Sequence, residues 1–330
     1  MYEDYLYSME YQGNNNNVHN DQENIPNNSN TLPTKISTTE ALVTLNRNSH
    51  SNYNMMLNHE IRQQHQHLEN PAYAQFRNYE NAITKMPGIP RFYKENHENQ
   101  TVEHVVAMKA KYSRLDNGWF SIWDALEVMD GLVDSADPDV KTTQAVHALQ
   151  TAEAARRDGQ PDWFILTCLI HDLGKMLYFM GEPQWTVVGD TFPVGCKYAD
   201  KIVYREFFVN NPDFYHELYS TDHGIYTPRS GFKNVHFSFG HDEYMYMVCK
   251  DYLPPEALGI IRYHSFYAWH TEGEYTWLMD DYDTETLKWI KLFNKYDLGS
   301  NLLDEPPNIE DLKPFYIDLI ATYFPPKIRW

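Results

Sequence analysis

Apolar residues are sparse and without period over the first 70 positions, then recur at helical spacing from about residue 71 to the end of the chain. The opening stretch holds fifteen Asn and five Gln, including the run Asn14 to Asn17 and the string QQHQH. A segment so poor in apolar residues buries too little surface to offset chain entropy and is expected to be a disordered tail over 1–70. It reads first as a neutral low-complexity extension, with a regulatory or assembly tail as the alternative.

The remainder, 71–330, reads as a single all-α domain. WFSIWDALEVMDGLVD (119–134) has helical apolar spacing, and TTQAVHALQTAEAARR (142–157) is rich in Ala and Gln with Gly159 placed as a C-terminal cap. DWFILTCLIHDLGKMLYFM (162–180) predicts a strongly apolar helix interrupted near Gly174. Residues 181–240 are rich in Gly, Pro and aromatics and predict a long ordered loop in the middle of the domain. Helices follow over 241–253, over 254–269 with prolines at its first positions, and over 284–298, with a shorter one in DLKPFYIDLIATYF. The aromatic strings YMYM and FYAW read as core packing.

Composition narrows the function. Hydrophobic residues make up 42% of 330 positions, enough for a sizeable core. The net charge of −19 argues against nucleic acid and against an anionic membrane surface as partners. Three cysteines without a CxxC make no disulfide framework, and the acidic start MYEDYLYSMEYQ has no secretory h-region. No apolar run approaches a membrane span. A soluble cytoplasmic protein is expected.

The chemistry lies in histidines. Of fifteen, His147, His171, His241 and His264 sit among apolar residues of predicted helices. One such His is usually a hydrogen-bonded core group. Four on separate helices, two of them followed by Asp, point to a metal. In LIHDLGK, Asp172 is set deep in an apolar helix, and a buried carboxylate needs a cation nearby. Imidazole and carboxylate together suit Fe, Mn or Zn, and the lack of nearby Cys weakens a structural zinc reading. Lys175 follows on the same helical face. Asp242, in a second His-Asp pair, reads as a group that orients a ligand.

The order His147, His171-Asp172, Asp297 resembles the HD superfamily of helical metalloproteins. The strings HDLGK, GEPQWTVVGDTFPVGC, GHDEYMY, RYHSFYAWHT and FNKYDL, in that order, closely resemble the myo-inositol oxygenases over Phe76 to Trp330. That resemblance implies an HD-like helical bundle and a mixed-valent Fe(II)/Fe(III) pair without organic cofactor. It also implies O2-dependent cleavage of the myo-inositol ring to D-glucuronate. One iron would be held by His147, His171, Asp172 and Asp297, the other by His241 and His264 with Asp172 bridging. Arg77, Asp134, Ser135, Ala136, Lys175, Gly189, Asp190, His264 and Ser265 would line the substrate pocket, and Lys175 and Asp172 would act in catalysis. Two positions depart from the family pattern: Ala136 replaces Ser, and Asn301 stands where Lys is usual.

Two other readings stay open on the residues alone. An HD-type phosphohydrolase would use the same ligands to activate water, but a phosphate ester calls for converging Arg and Lys, and chiefly Lys175 and Arg262 lie near the motifs. A binding module derived from an enzyme would not need the full ligand set. A monomer is expected, with myo-inositol and O2 as its partners. Deleting residues 1–70 should leave metal content and specific activity nearly unchanged. Metal analysis and assay of the truncated chain check this.

Overall fold

The computed structural model describes residues 88–132, 142–299 and 307–330. The predicted tail, Arg77, Asp134, Ser135, Ala136 and Asn301 lie outside the described residues. The described part is mostly helical, as the apolar pattern predicts.

Two helices absent from the sequence reading open it, α1 (Gly88–Asn99) and α2 (Val102–Tyr112). The buried side of α1 is partly polar, with Tyr93, Asn96 and His97, so it leaves no clean apolar stripe. Its polar groups bond distant main chain instead. The Asn96 amide donates to the Trp185 carbonyl at 2.7 Å, and Gln100, just past the helix, donates to Phe239 O at 2.7 Å.

The predicted helix over 119–134 is shorter at its start. Ser121 and Asp124 form a capping box that begins α3 at Ile122–Met129. Trp119–Phe120 before it is a strand, β1, paired antiparallel with β2 (Ile328–Arg329) near the chain end. This two-residue ladder holds the C-terminal Trp330 fully buried.

The centre of the bundle is α4 (Gln144–Arg157) against α5 (Asp162–Ile170). Small buried residues on α4, Ala148, Ala152 and Ala155, let the two helices approach closely. α5 is buried from Phe164 to Ile170 without a polar face, as expected of a helix enclosed on all sides. Predicted as one interrupted helix, 162–180 breaks at His171-Asp172 and resumes as a 3-10 turn, Leu173–Tyr178. The stretch 179–240 contains only further short 3-10 turns, in keeping with the long loop expected there.

After it come α6 (His241–Cys249), α7 (Pro255–Tyr263), α8 (Tyr267–His270), α9 (Asp281–Gly299) and α10 (Ile309–Tyr323). Pro255 occupies the first turn of α7, where a missing N–H costs nothing. The predicted helix 254–269 is therefore two pieces with a turn at His264–Phe266. Phe266 and Trp269 pack with Phe232 and Phe237 in a buried aromatic cluster, so FYAW is core as expected. α10 is anchored by the Tyr316 hydroxyl, which donates to Glu153 of α4 at 2.8 Å.

Gly174 decides how closely the 3-10 turn meets α6. A Cβ at this position would lie 2.0 Å from the His241 carbonyl oxygen and 2.7 Å from its carbon. Only a residue without a side chain lets the HDLGK backbone rest on the start of α6, which brings Asp172 and His241 together. Gly174→Ala is expected to destabilise the fold by about 3 kcal/mol, the upper range for overpacking, and to lower metal content. An unchanged denaturant midpoint would show that the two segments are not in contact.

Candidate metal centre

Each ligand candidate sits at an end or an inward face of a helix. His147 is in the first turns of α4, His171 caps the C-terminus of α5, and Asp172 opens the 3-10 turn. His241 starts α6, His264 caps α7, and Asp297 lies in the last turns of α9. All six are buried.

Asp172 stands between two imidazole groups. Its Oδ2 is 3.4 Å from His171 Nε2, while its Oδ1 is 3.3 Å from His241 Nε2 and 3.5 Å from His264 Nε2. On the first side, Asp297 Oδ1 lies 2.9 Å from His147 Nε2 and 3.3 Å from His171 Nε2. Two groups could each hold an ion, His147 with His171 and Asp172, and Asp172 with His241 and His264.

The outer ring nitrogens show what these groups fit. His171 Nδ1 is 2.9 Å from Cys168 O, His241 Nδ1 is 2.9 Å from Val187 O, and His264 Nδ1 is 3.0 Å from Ile261 O. A carbonyl oxygen only accepts, so each Nδ1 carries a proton and each Nε2 is turned inward, where it becomes a metal donor once its own proton is gone. His241 and His264 point these nitrogens at each other across 3.3 Å. Two lone pairs at that distance need a cation or protons between them. Main-chain carbonyls on Nδ1 and carboxylates at Nε2 form the pattern of metal-ligating histidines. With nitrogen and oxygen donors and no sulfur, the set suits Fe, Mn or Zn.

Electrostatics agree. Burial works against charge, yet Lys175 and His171 hold the Asp172 carboxyl well below the ordinary carboxylate range. Asp297 is likewise held low against burial by bonds from His147 and His171. Burial also opposes charge on His171, but Asp172 and Asp297 outweigh it and raise its pKa to about 10. His241 is raised to about 10 in the same way by Asp242 and Asp172.

Lys175 is buried, and its ammonium donates to Asp172 Oδ2 at 2.9 Å and to Gln144 Oε1 at 2.8 Å. Asp242 departs from the role expected of it. The orienting bond to the outer nitrogen of His241 comes from Val187 O, while Asp242 Oδ1 faces the inner nitrogen at 2.8 Å. Ser265 Oγ donates to Asp242 Oδ1 at 3.1 Å, and Thr191 Oγ1 donates to Oδ2 at 3.0 Å. Gly189 has φ +103° and packs against Phe92, and the next residue, Asp190, accepts from Tyr93 at 2.9 Å. Tyr93, Gln144 and Thr191 are missed by motif reasoning. They stand outside the quoted strings or, like Thr191, matter only through a partner distant in sequence.

The fold and this paired His/Asp cluster define a helical protein with two adjoining groups that could each hold a metal ion. The family profile described as myo-inositol oxygenase matches residues 87–330. Inositol oxygenase 4 of Arabidopsis thaliana is 49% identical over 263 residues, covering 78% of this chain and 83% of its own length. The inositol oxygenases of Dictyostelium discoideum and Bos taurus are each 44% identical, over 78% and 77% of this chain and 90% of theirs. The chain belongs to the myo-inositol oxygenase family. No helix among the described residues is long and apolar enough to cross a membrane.

The folded pKa values of His171 and His241 lie above the ordinary 6.5. Their contribution to metal-free stability is therefore complete below pH 6.5 and is lost as pH rises toward about 10. A cation must displace these protons. Metal uptake near neutral pH should release protons and strengthen as pH rises. Calorimetric titration in buffers of different ionisation enthalpy measures the release, and uptake without it would contradict the ligand set.

Proposed function

We propose that the chain uses O2 to cleave the ring of myo-inositol to D-glucuronate at a pair of iron ions, without an organic cofactor. One iron is assigned to His147, His171, Asp172 and Asp297, and the other to His241 and His264 with Asp172 shared. The carrying observation is the Asp172 carboxylate, whose two oxygens face separate imidazole groups 3.3–3.5 Å away. The second group has fewer protein donors than the first, which suits an ion that must also take substrate oxygens.

When bound, the iron pair supplies the redox chemistry that O2 activation requires. The chain's own residues bind and orient the polyol. Lys175, dry and tethered by Asp172 and Gln144, offers a fixed ammonium to a substrate hydroxyl beside the shared carboxylate. Ser265 and Asp190 supply a hydroxyl and a carboxylate, the latter held by Tyr93. The family resemblance also assigns Arg77, Asp134, Ser135, Ala136 and Gly189 to substrate binding. A ring of such donors and acceptors rejects polyols that leave a buried group unpaired. We assign the protein as a cytoplasmic monomer.

The phosphohydrolase reading loses its second cation. Arg262 is buried and bound bidentately to Glu243 at 2.7 and 3.1 Å, and Lys109 bonds the same carboxylate at 2.8 Å. Both cations are engaged with the same carboxylate, which leaves Lys175, among the described residues, beside the metal groups. A neutral polyol fits that balance better than a phosphate dianion.

An aerobic assay of iron-loaded protein with myo-inositol should yield a uronate. Phosphate release from esters in its place would sink the reading. Within it, Lys175→Met should retain both irons and lose turnover by about 10²–10⁴, the range for a positioned proton-handling group. Full iron content with near-normal turnover would remove Lys175 from the site's chemistry.

A further inference from the structure

We propose that His270 is a positioning residue that couples the two metal groups by tying the main chain at His264 to the helix bearing Asp297. The inference rests on the reading of His264 and Asp297 as ligands of separate ions.

His270 ends α8 and is buried. Its Nε2 lies 2.8 Å from the carbonyl oxygen of His264. Because that oxygen only accepts, Nε2 carries the proton and the neutral ring presents Nδ1 as an acceptor. Two donors meet it there, the Asn294 amide Nδ2 at 3.1 Å and the Thr271 hydroxyl at 3.1 Å. All three bonds agree on one tautomer. Asn294 belongs to α9 and lies three residues before Asp297, so it shares that helix face within one turn. The chain of contacts runs from the main chain of one ligand, through one imidazole, to the helix of another.

The two ends differ in what else holds them. Asp297 is fixed by direct contact with His147 and His171 at 2.9 and 3.3 Å. His264 closes a nine-residue helix whose last turn leads straight into the Ser265–Phe266 bend. Its position sets the 3.3 Å approach to His241 and the 3.5 Å approach to Asp172. Removing the His270 bridge therefore loosens the second group and leaves the first in place.

Metal-free protein titrated with Fe(II) under anaerobic conditions tests this, with calorimetry or equilibrium dialysis as the readout. The unaltered chain should take up two ions. His270→Phe should keep the first and bind the second about 10–100-fold more weakly, the usual effect of losing a group behind the ligands. His270→Gln should recover part of the loss, since its amide can donate to the His264 carbonyl and accept from Asn294. Asn294→Asp, isosteric but with an acceptor in place of the donor, should weaken the second ion in the same sense and stands in if His270→Phe does not fold. A loss shared equally by both ions, or a lowered thermal midpoint with both affinities intact, would overturn the proposal. Uptake of a single ion by the unaltered chain would instead refute the two-metal reading beneath it.

Discussion

Everything in this structure answers to the Asp172 carboxylate, buried in the middle of a helical bundle. An isolated charge there would cost several kcal/mol or more, so cationic groups must meet it from every side. Lys175 is supplied locally, three residues on. The imidazoles are not, and each must arrive on a different helix. That requirement explains why α4, α5, α6 and α7 all direct a terminus or first turn at one point. It also explains Gly174, whose missing side chain lets the backbone of the 3-10 turn rest on the carbonyl of His241. Asp297, arriving on α9, adds a second carboxylate beside His147 and His171.

The part of this legible in the sequence is the part whose cause is local. A continuous apolar run marks α5, and the polar pair that interrupts it, His171-Asp172, marks the site. Helices with one apolar face are legible to within a few residues, because burial and period coincide there. α1 leaves no such mark, because its inner face bonds through Tyr93 and Asn96, and Gln100 just past its end, to main-chain groups or side chains some 90 to 140 residues away, which no periodicity records. Trp119–Phe120 reads as helix by composition, yet Ser121 and Asp124 start the helix after it and free those residues to pair with the chain end. Gln144 and Asn294 look like ordinary helical amides. Only their distant partners, Lys175 and His270, give them a role.

Charge at the periphery separates chemistries that the ligands alone do not. His and Asp donors serve hydrolases and oxygenases equally. In this chain Lys109 and Arg262 both terminate on Glu243, next to Asp242 on α6. Against burial, which raises it, they hold the Glu243 carboxyl below its ordinary range. The guanidinium also stacks on Tyr246, 4.4 Å from the ring centroid. A cation so engaged clamps α6 to α7, the two helices that carry His241 and His264, and is not available to a substrate anion.

One local device appears twice and accounts for the geometry at the centre. His171 and His264 each cap a nine-residue helix, and each bonds through Nδ1 to the carbonyl three residues earlier, Cys168 and Ile261. Carbonyls in a last helical turn lack main-chain donors, so the ring satisfies one of them while its own tautomer is set. Both rings sit at a helix C-terminus, where the negative end of the helix dipole also favours a cation. The residue after each His leaves the helix and turns a polar group toward the cluster, Asp172 in one case and Ser265 in the other. His241 reverses the arrangement: it begins a helix, and its Nδ1 bond comes from the loop carbonyl of Val187. Its ring is therefore held by the same loop that leads into Gly189 and Asp190, so the ligand geometry of the second group and the shape of the proposed substrate pocket depend on one segment of main chain.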